Sequence, residues 1–195
     1  MRRKRLGGEA MQDSNQFIGW TLAGLGAAGL AAAAALIGFP GMLRRGLDAF
    51  PRSKMPGWIL SAIGTFWVTW VVYHAALGRF EFVKPLVPYA GVALFAALVY
   101  FLDELLAPRA LGGLLLLVAN PVLMGIRWTG SGWRIVPVLF AYAWVVAGCA
   151  LMLHPWLFRK AHIRFLGSDA ACRRWGWAKL AGGIVLLAAG IWHLR

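Results

Sequence analysis

The chain has 195 residues, 61% of them hydrophobic, with 11 tryptophans and 20 Lys or Arg against 7 Asp or Glu, a formal charge of +13. A mean hydropathy of +0.68 lies far above the composition of soluble domains, which are roughly half apolar, and a soluble fold would leave large apolar patches facing water. The basic residues flank apolar runs and form no soluble basic face, which excludes nucleic acid as a partner and points to the rules that orient membrane spans.

A bilayer span takes about 20 apolar residues. Six runs qualify, near 17–39, 57–77, 86–102, 110–126, 135–153 and 177–194. The expected fold is an all-α integral membrane protein, a polytopic bundle of about six transmembrane helices arranged as three hairpins. Residues 1–16 read as a polar tail and 17–195 as a single transmembrane domain.

The tail opens on Arg2, Arg3, Lys4 and Arg5, and Met11 is an alternative start that would remove this basic cluster. The first span is rich in Gly and Ala, with small residues spaced i, i+4 that suit close helix packing. The turn at 40–56 carries Arg44, Arg45, Arg52 and Lys54, with Leu43, Leu47 and Phe50 on one face of a short in-plane element that Pro51 ends. The second span holds Trp58, Trp67, Trp70, Tyr73 and His74, and a stripe of Ser61, Thr65 and Thr69 expected to join helices. Pro88 opens the third span. Asp103 and Glu104 follow it and are expected to form a structural charge cluster with Arg109 or with the other basic turns. In the fourth span Pro121 removes a helical hydrogen bond and predicts a kink, with Asn120 satisfying freed backbone groups or bonding across helices. Trp128 and Trp133 belong to an interfacial belt. The fifth span ends at His154-Pro155, and the turn 154–176 carries Arg159, Lys160, Arg164, Arg173 and Arg174. His162, between basic residues, is expected to be solvated. Cys149 in the fifth span and Cys172 in the basic turn give no disulfide framework.

Two stretches repeat. In GFPGMLRRGLDAF and LHPWLFRKAHIRF, Pro40, Arg44, Arg45 and Phe50 match Pro155, Arg159, Lys160 and Phe165. After a short insertion Gly57, Trp58, Ala62, Gly64 and His74 match Gly176, Trp177, Ala181, Gly183 and His193. The pattern is that of a duplicated first and last hairpin, a known plan for membrane bundles. With six spans the turns 40–56, 103–109 and 154–176 share one side. Their positive charge places them in the cytoplasm of a bacterial-type inner membrane, with both termini outside. Their basic residues are candidate contacts for anionic lipid headgroups or for partner subunits.

No carboxylate lies inside a span, which counts against proton- or ion-coupled transport. There is no HExxH, cysteine cluster or phosphate-binding loop, and Ser131 lacks the Gly-x-Ser-x-Gly elbow, so no enzyme activity is read. Three readings remain. The first is a non-catalytic accessory or scaffolding subunit of an inner-membrane complex. The second is a small carrier or substrate-capture protein for a neutral or apolar compound. In span number and size the chain resembles the substrate-binding subunits of energy-coupling vitamin importers, and that resemblance implies docking through small residues of the first helix, here Ala27, Ala31 and Ala35. The third pairs His74 with His193, at matching repeat positions, as ligands for one haem b or one metal ion. The competing account of these two histidines is an interfacial role beside Trp70 and Trp192.

Overall fold

The computed structural model describes residues 2–101, 105–127 and 129–194, with residues 2–14 as backbone alone. Among these residues there is no strand. Eight α-helices follow in order: α1 (Arg2–Gly38), α2 (Pro40–Ala49), α3 (Lys54–His74), α4 (Val87–Phe101), α5 (Leu106–Ile126), α6 (Ile135–Leu153), α7 (Trp156–Leu166) and α8 (Asp169–Leu194). Short 3-10 turns cover Phe50–Arg52, Gly78–Leu86 and Gly132–Arg134. Six helical stretches, Asn15–Gly38, Lys54–His74, Gly78–Phe101, Leu106–Ile126, Gly132–Leu153 and Asp169–Leu194, are long and apolar enough to cross a membrane. At most 22% of the most apolar window of any of them is buried within the protein.

Prolines and glycines place the breaks. Pro40 occupies the first position of α2, where its missing N–H costs nothing, and Pro155 ends α6 because the residue before a proline avoids the helical region. Gly78 takes a positive φ of +54° after α3, a conformation that other residues adopt only with strain. The expected third and fifth spans agree with α4 and α6 to within a residue. The last helix starts earlier than expected, at Asp169, so Cys172 is a fully buried helical residue. The basic turn 154–176 is therefore mostly helix, split between α7 and the first turns of α8. The backbone of the polar tail is helical from Arg2. Both repeated stretches have the same element order, a long helix, a short one and a long one.

By its contacts the chain forms two compact units. The first comprises Met1–Gly46, Val118–Trp144 and Ala161–Arg195. Its principal pairing is α1 against α8, running antiparallel, since Gly19 meets Gly190 and Leu194, Gly26 meets Gly183 and Leu187, and Gly176 meets Leu36 and Ile37. The seam is built of glycine. A Cβ at Gly26 would lie 2.5 Å from the backbone N of Leu187 and 2.8 Å from the carbonyl oxygen of Gly183. A Cβ at Gly190 would lie 2.5 Å from the backbone N of Ala23. Without Cβ atoms at these positions the two backbones approach directly, so many weak dispersion contacts form along both helices. Beside the seam Ile18, Leu22 and Ile126 form a buried cluster with Phe17, Val122, Val136, Leu186 and Ala189 around it. The Phe17 ring lies over Gly125, where a side chain would collide with it.

The second unit comprises Leu47–Leu117 and Val145–Lys160. Here α3 turns its small stripe inward. Gly57 lies against Leu106 and Ala107, Ser61 and Thr65 are buried, and Thr69 packs into the space left by Gly91 of α4. The Thr69 hydroxyl donates to the Thr65 carbonyl at 2.7 Å, the usual local refuge of a hydroxyl on a helix. The Gly112 and Gly148 backbones of α5 and α6 meet so closely that a Cβ on either would lie 2.7 Å from the other's carbonyl oxygen.

Candidate functional site

The polar side chains gather at the short helices. In the first unit, Arg44 of α2 donates to Asp169 Oδ1 at the start of α8, at 2.9 Å. Asp169 stands in the first turn of its helix, where a carboxylate is favoured by the backbone dipole. Arg164, Arg173 and Arg174 are exposed. His162, expected to be solvated, is instead buried at 9% exposure, because α7 turns that position inward while Arg159 and Lys160 face out.

In the second unit the Phe50 and Phe158 rings meet at 5.1 Å between centroids, which fastens the first basic turn to the second. Next to this contact is a cavity of about 390 Å3 lined by Asp48, Pro51, Arg52, Leu105, Pro155, Trp156 and Arg159. Its lining comes from all three turns expected to share a side: 40–56, 103–109 and 154–176. Arg52 and Arg159 are exposed, and neither makes an ion pair among the described residues. Trp156 is half exposed and its ring carries Lys160 Nζ at 5.5 Å, a cation–π contact. Leu105 holds φ at +59°, a left-handed conformation costing about 1–2 kcal/mol for a residue with a Cβ. Such strain persists where the surroundings over-determine it, and it gathers at clamps and binding sites.

Of the other residues singled out by sequence, Arg45 and Lys54 are exposed. Arg109 is half-buried in α5, and among the described residues its Nε meets no hydrogen-bond partner. Asp103 and Glu104, the expected partners of Arg109, lie outside the described residues, as does Trp128. His74 is in the second unit, with Nδ1 2.9 Å from the Trp70 carbonyl oxygen and its ring 4.3 Å from that of Trp70. His193 is in the first unit, edge-on to Trp133 at 6.4 Å, and its buried Nε2 has no hydrogen-bond partner among the described residues. Among the described residues no three of His, Cys, Asp or Glu gather as metal ligands would. Both cysteines are free thiols. Asn120 and Pro121 are exposed on α5, and among the described residues the Asn120 amide makes no hydrogen bond. Ala27 and Ala31 are exposed and Ala35 is half-buried. Gly24 and Gly38 near them have nothing within 4 Å of an added Cβ.

Sequence reasoning missed Leu105 and Trp156 as cavity residues. Pro155-Trp156 beside a basic run was a visible signal, whereas the backbone of Leu105 left none. The fold is that of an all-helical chain with six helices long and apolar enough for a bilayer. Comparison with protein-family models, with curated proteins and with solved structures finds no match for the chain.

Proposed function

We propose that the six helices cross a bacterial-type inner membrane and that the protein is a non-catalytic accessory or scaffolding subunit of a membrane complex. Membrane insertion is supported by spans whose apolar side chains are mostly unburied, since hydrocarbon can cover them and water cannot. The subunit reading is carried by one observation, the open small-residue face of α1. Gly24, Ala27, Ala31 and Gly38 are exposed on α1, across from the seam with α8, and an added Cβ at Gly24 or Gly38 would meet nothing within 4 Å. In hydrocarbon, helices associate through such faces, where backbones can approach. The unbonded Asn120 amide supports the same reading, because a polar group facing lipid is stabilised by a partner that bonds it. Purification in mild detergent from the native membrane, with mass spectrometry of the eluate, tests the proposal. A stoichiometric set of other membrane proteins is expected, and recovery of the chain alone overturns it.

The shared lining of the cavity supports placing the three basic turns on one side, and their charge supports the cytoplasm. The carrier reading has its own observation, an apolar groove of about 230 Å3 lined by Phe66, Thr69, Trp70, Tyr73 and Pro88. Retention of a small neutral compound through purification, or a raised thermal midpoint in its presence, would favour that reading.

A further inference from the structure

We infer that the cavity formed by the three basic turns binds the phosphate of an anionic phospholipid headgroup. The inference rests on the membrane reading above and names a ligand for one site within it. Two guanidinium groups, Arg52 and Arg159, reach the cavity from turns far apart in sequence, and neither is neutralised by an ion pair among the described residues. Asp48 is the carboxylate among the lining residues, so the described lining carries net positive charge. A guanidinium presents parallel N–H donors that match two oxygens of one phosphate, and two such groups can hold a phosphodiester from two directions. The remaining lining is apolar: Pro51, Leu105, Pro155 and Trp156. A soluble phosphoester would gain nothing from these walls, while the glycerol and first acyl carbons of a lipid would lie against them. Trp156 has the amphipathic ring that settles at headgroup level, and Lys160 over its face adds a third cation at the rim. A volume of about 390 Å3 is more than ten times a water molecule's share of the liquid, ~30 Å3, enough for a headgroup with some of its water. The strained backbone of Leu105 lies in this wall, where the Phe50–Phe158 contact holds two of the turns together. Arg44, by contrast, is already engaged by Asp169.

The test uses the full chain purified in detergent, with native mass spectrometry during titration of phosphatidylglycerol or of phosphatidylcholine with the same acyl chains. Preferential retention of phosphatidylglycerol is expected. R52Q/R159Q should weaken it by at least about tenfold, the scale of one lost charge-assisted hydrogen bond. R79Q/R127Q removes the same formal charge elsewhere and should leave retention within about twofold. R52K/R159K, which keeps the charge and loses the fork, should fall between. Equal losses in R52Q/R159Q and R79Q/R127Q, or equal retention of the two lipids by the native chain, would overturn the inference. If glycerol phosphate raises the thermal midpoint as much as phosphatidylglycerol does, and R52Q/R159Q abolishes both effects, the phosphate site stands and the lipid source falls. Should R52Q/R159Q fail to fold, R159Q alone and the lipid-dependent midpoint of the native chain carry the same comparison. Failure of the chain to remain in alkali-washed membranes would refute the membrane reading itself, separately from the ligand.

Discussion

Gly26 and Gly182 differ in what one added methyl group would meet. At Gly26 it meets backbone atoms of α8, which cannot swing aside as a flexible side chain can, whereas at Gly182 nothing lies within 4 Å. Gly26→Ala is expected to destabilise the protein by about 1–3 kcal/mol, the usual range for overpacking. Gly182→Ala should leave stability unchanged or raise it by up to about 1 kcal/mol, since alanine favours the helix. Thermal unfolding in micelles, followed by circular dichroism, measures both. The Arg44–Asp169 pair is a weaker matter, because its side chains are 37% and 59% exposed. Water and salt screen such a pair, so Asp169→Asn should cost less than about 1 kcal/mol in the same assay. The two thiols also divide by environment. Cys172 is fully buried, its Sγ 3.5 Å from the Leu166 carbonyl oxygen. A maleimide should label Cys172 in a Cys149→Ser protein only after denaturation, and labelling of the folded protein would show that the start of α8 opens.

At the scale of the element, α1 presents more than one small-residue face, and local spacing does not say which is used. In α1 the alanines 27, 31 and 35 formed the evident stripe, yet the face packed on α8 carries Gly19, Gly26 and Ala33, set seven residues apart. The matching spacing of Gly176, Gly183 and Gly190 was present in the sequence. It became meaningful only once the partner helix was known, because an apolar helix with small residues all round gives no amphipathic signal. The hydroxyl stripe of α3 was easier to read, since Ser61, Thr65 and Thr69 are polar groups in an apolar run and hydrocarbon is a poor place for them. Helix α5 carries the reverse case, Asn120 on an outward face. Asn120→Leu is expected to leave the helix content and thermal midpoint of the isolated protein unchanged or raised, while reducing what co-purifies with it. Unchanged co-purification would remove Asn120 from the proposed contact.

For the whole molecule, the number of helices long and apolar enough to cross a membrane was legible because it depends only on the length of apolar runs, a local property. The cavity was not, since it draws Asp48, Leu105 and Arg159 from three distant turns, and the distance between turns is written in no single stretch. The basic turns themselves were visible as charge clusters between apolar runs. Reporter fusions after Lys54 and Arg164 should read cytoplasmic and one after His193 external, and the opposite pattern would reverse the proposed orientation. The α1–α8 seam also has a consequence for how the chain is made. Residue 26 finds its glycine partner at residue 183, so the first long helix is made well before its partner exists. At ~5–20 residues per second of synthesis, α1 spends on the order of ten seconds with its glycine face bare. In the proposed membrane setting, lipid or the insertion machinery would cover it during that interval. A chain halted before residue 176 would lack the glycines of α8 and would leave this face of α1 unclosed.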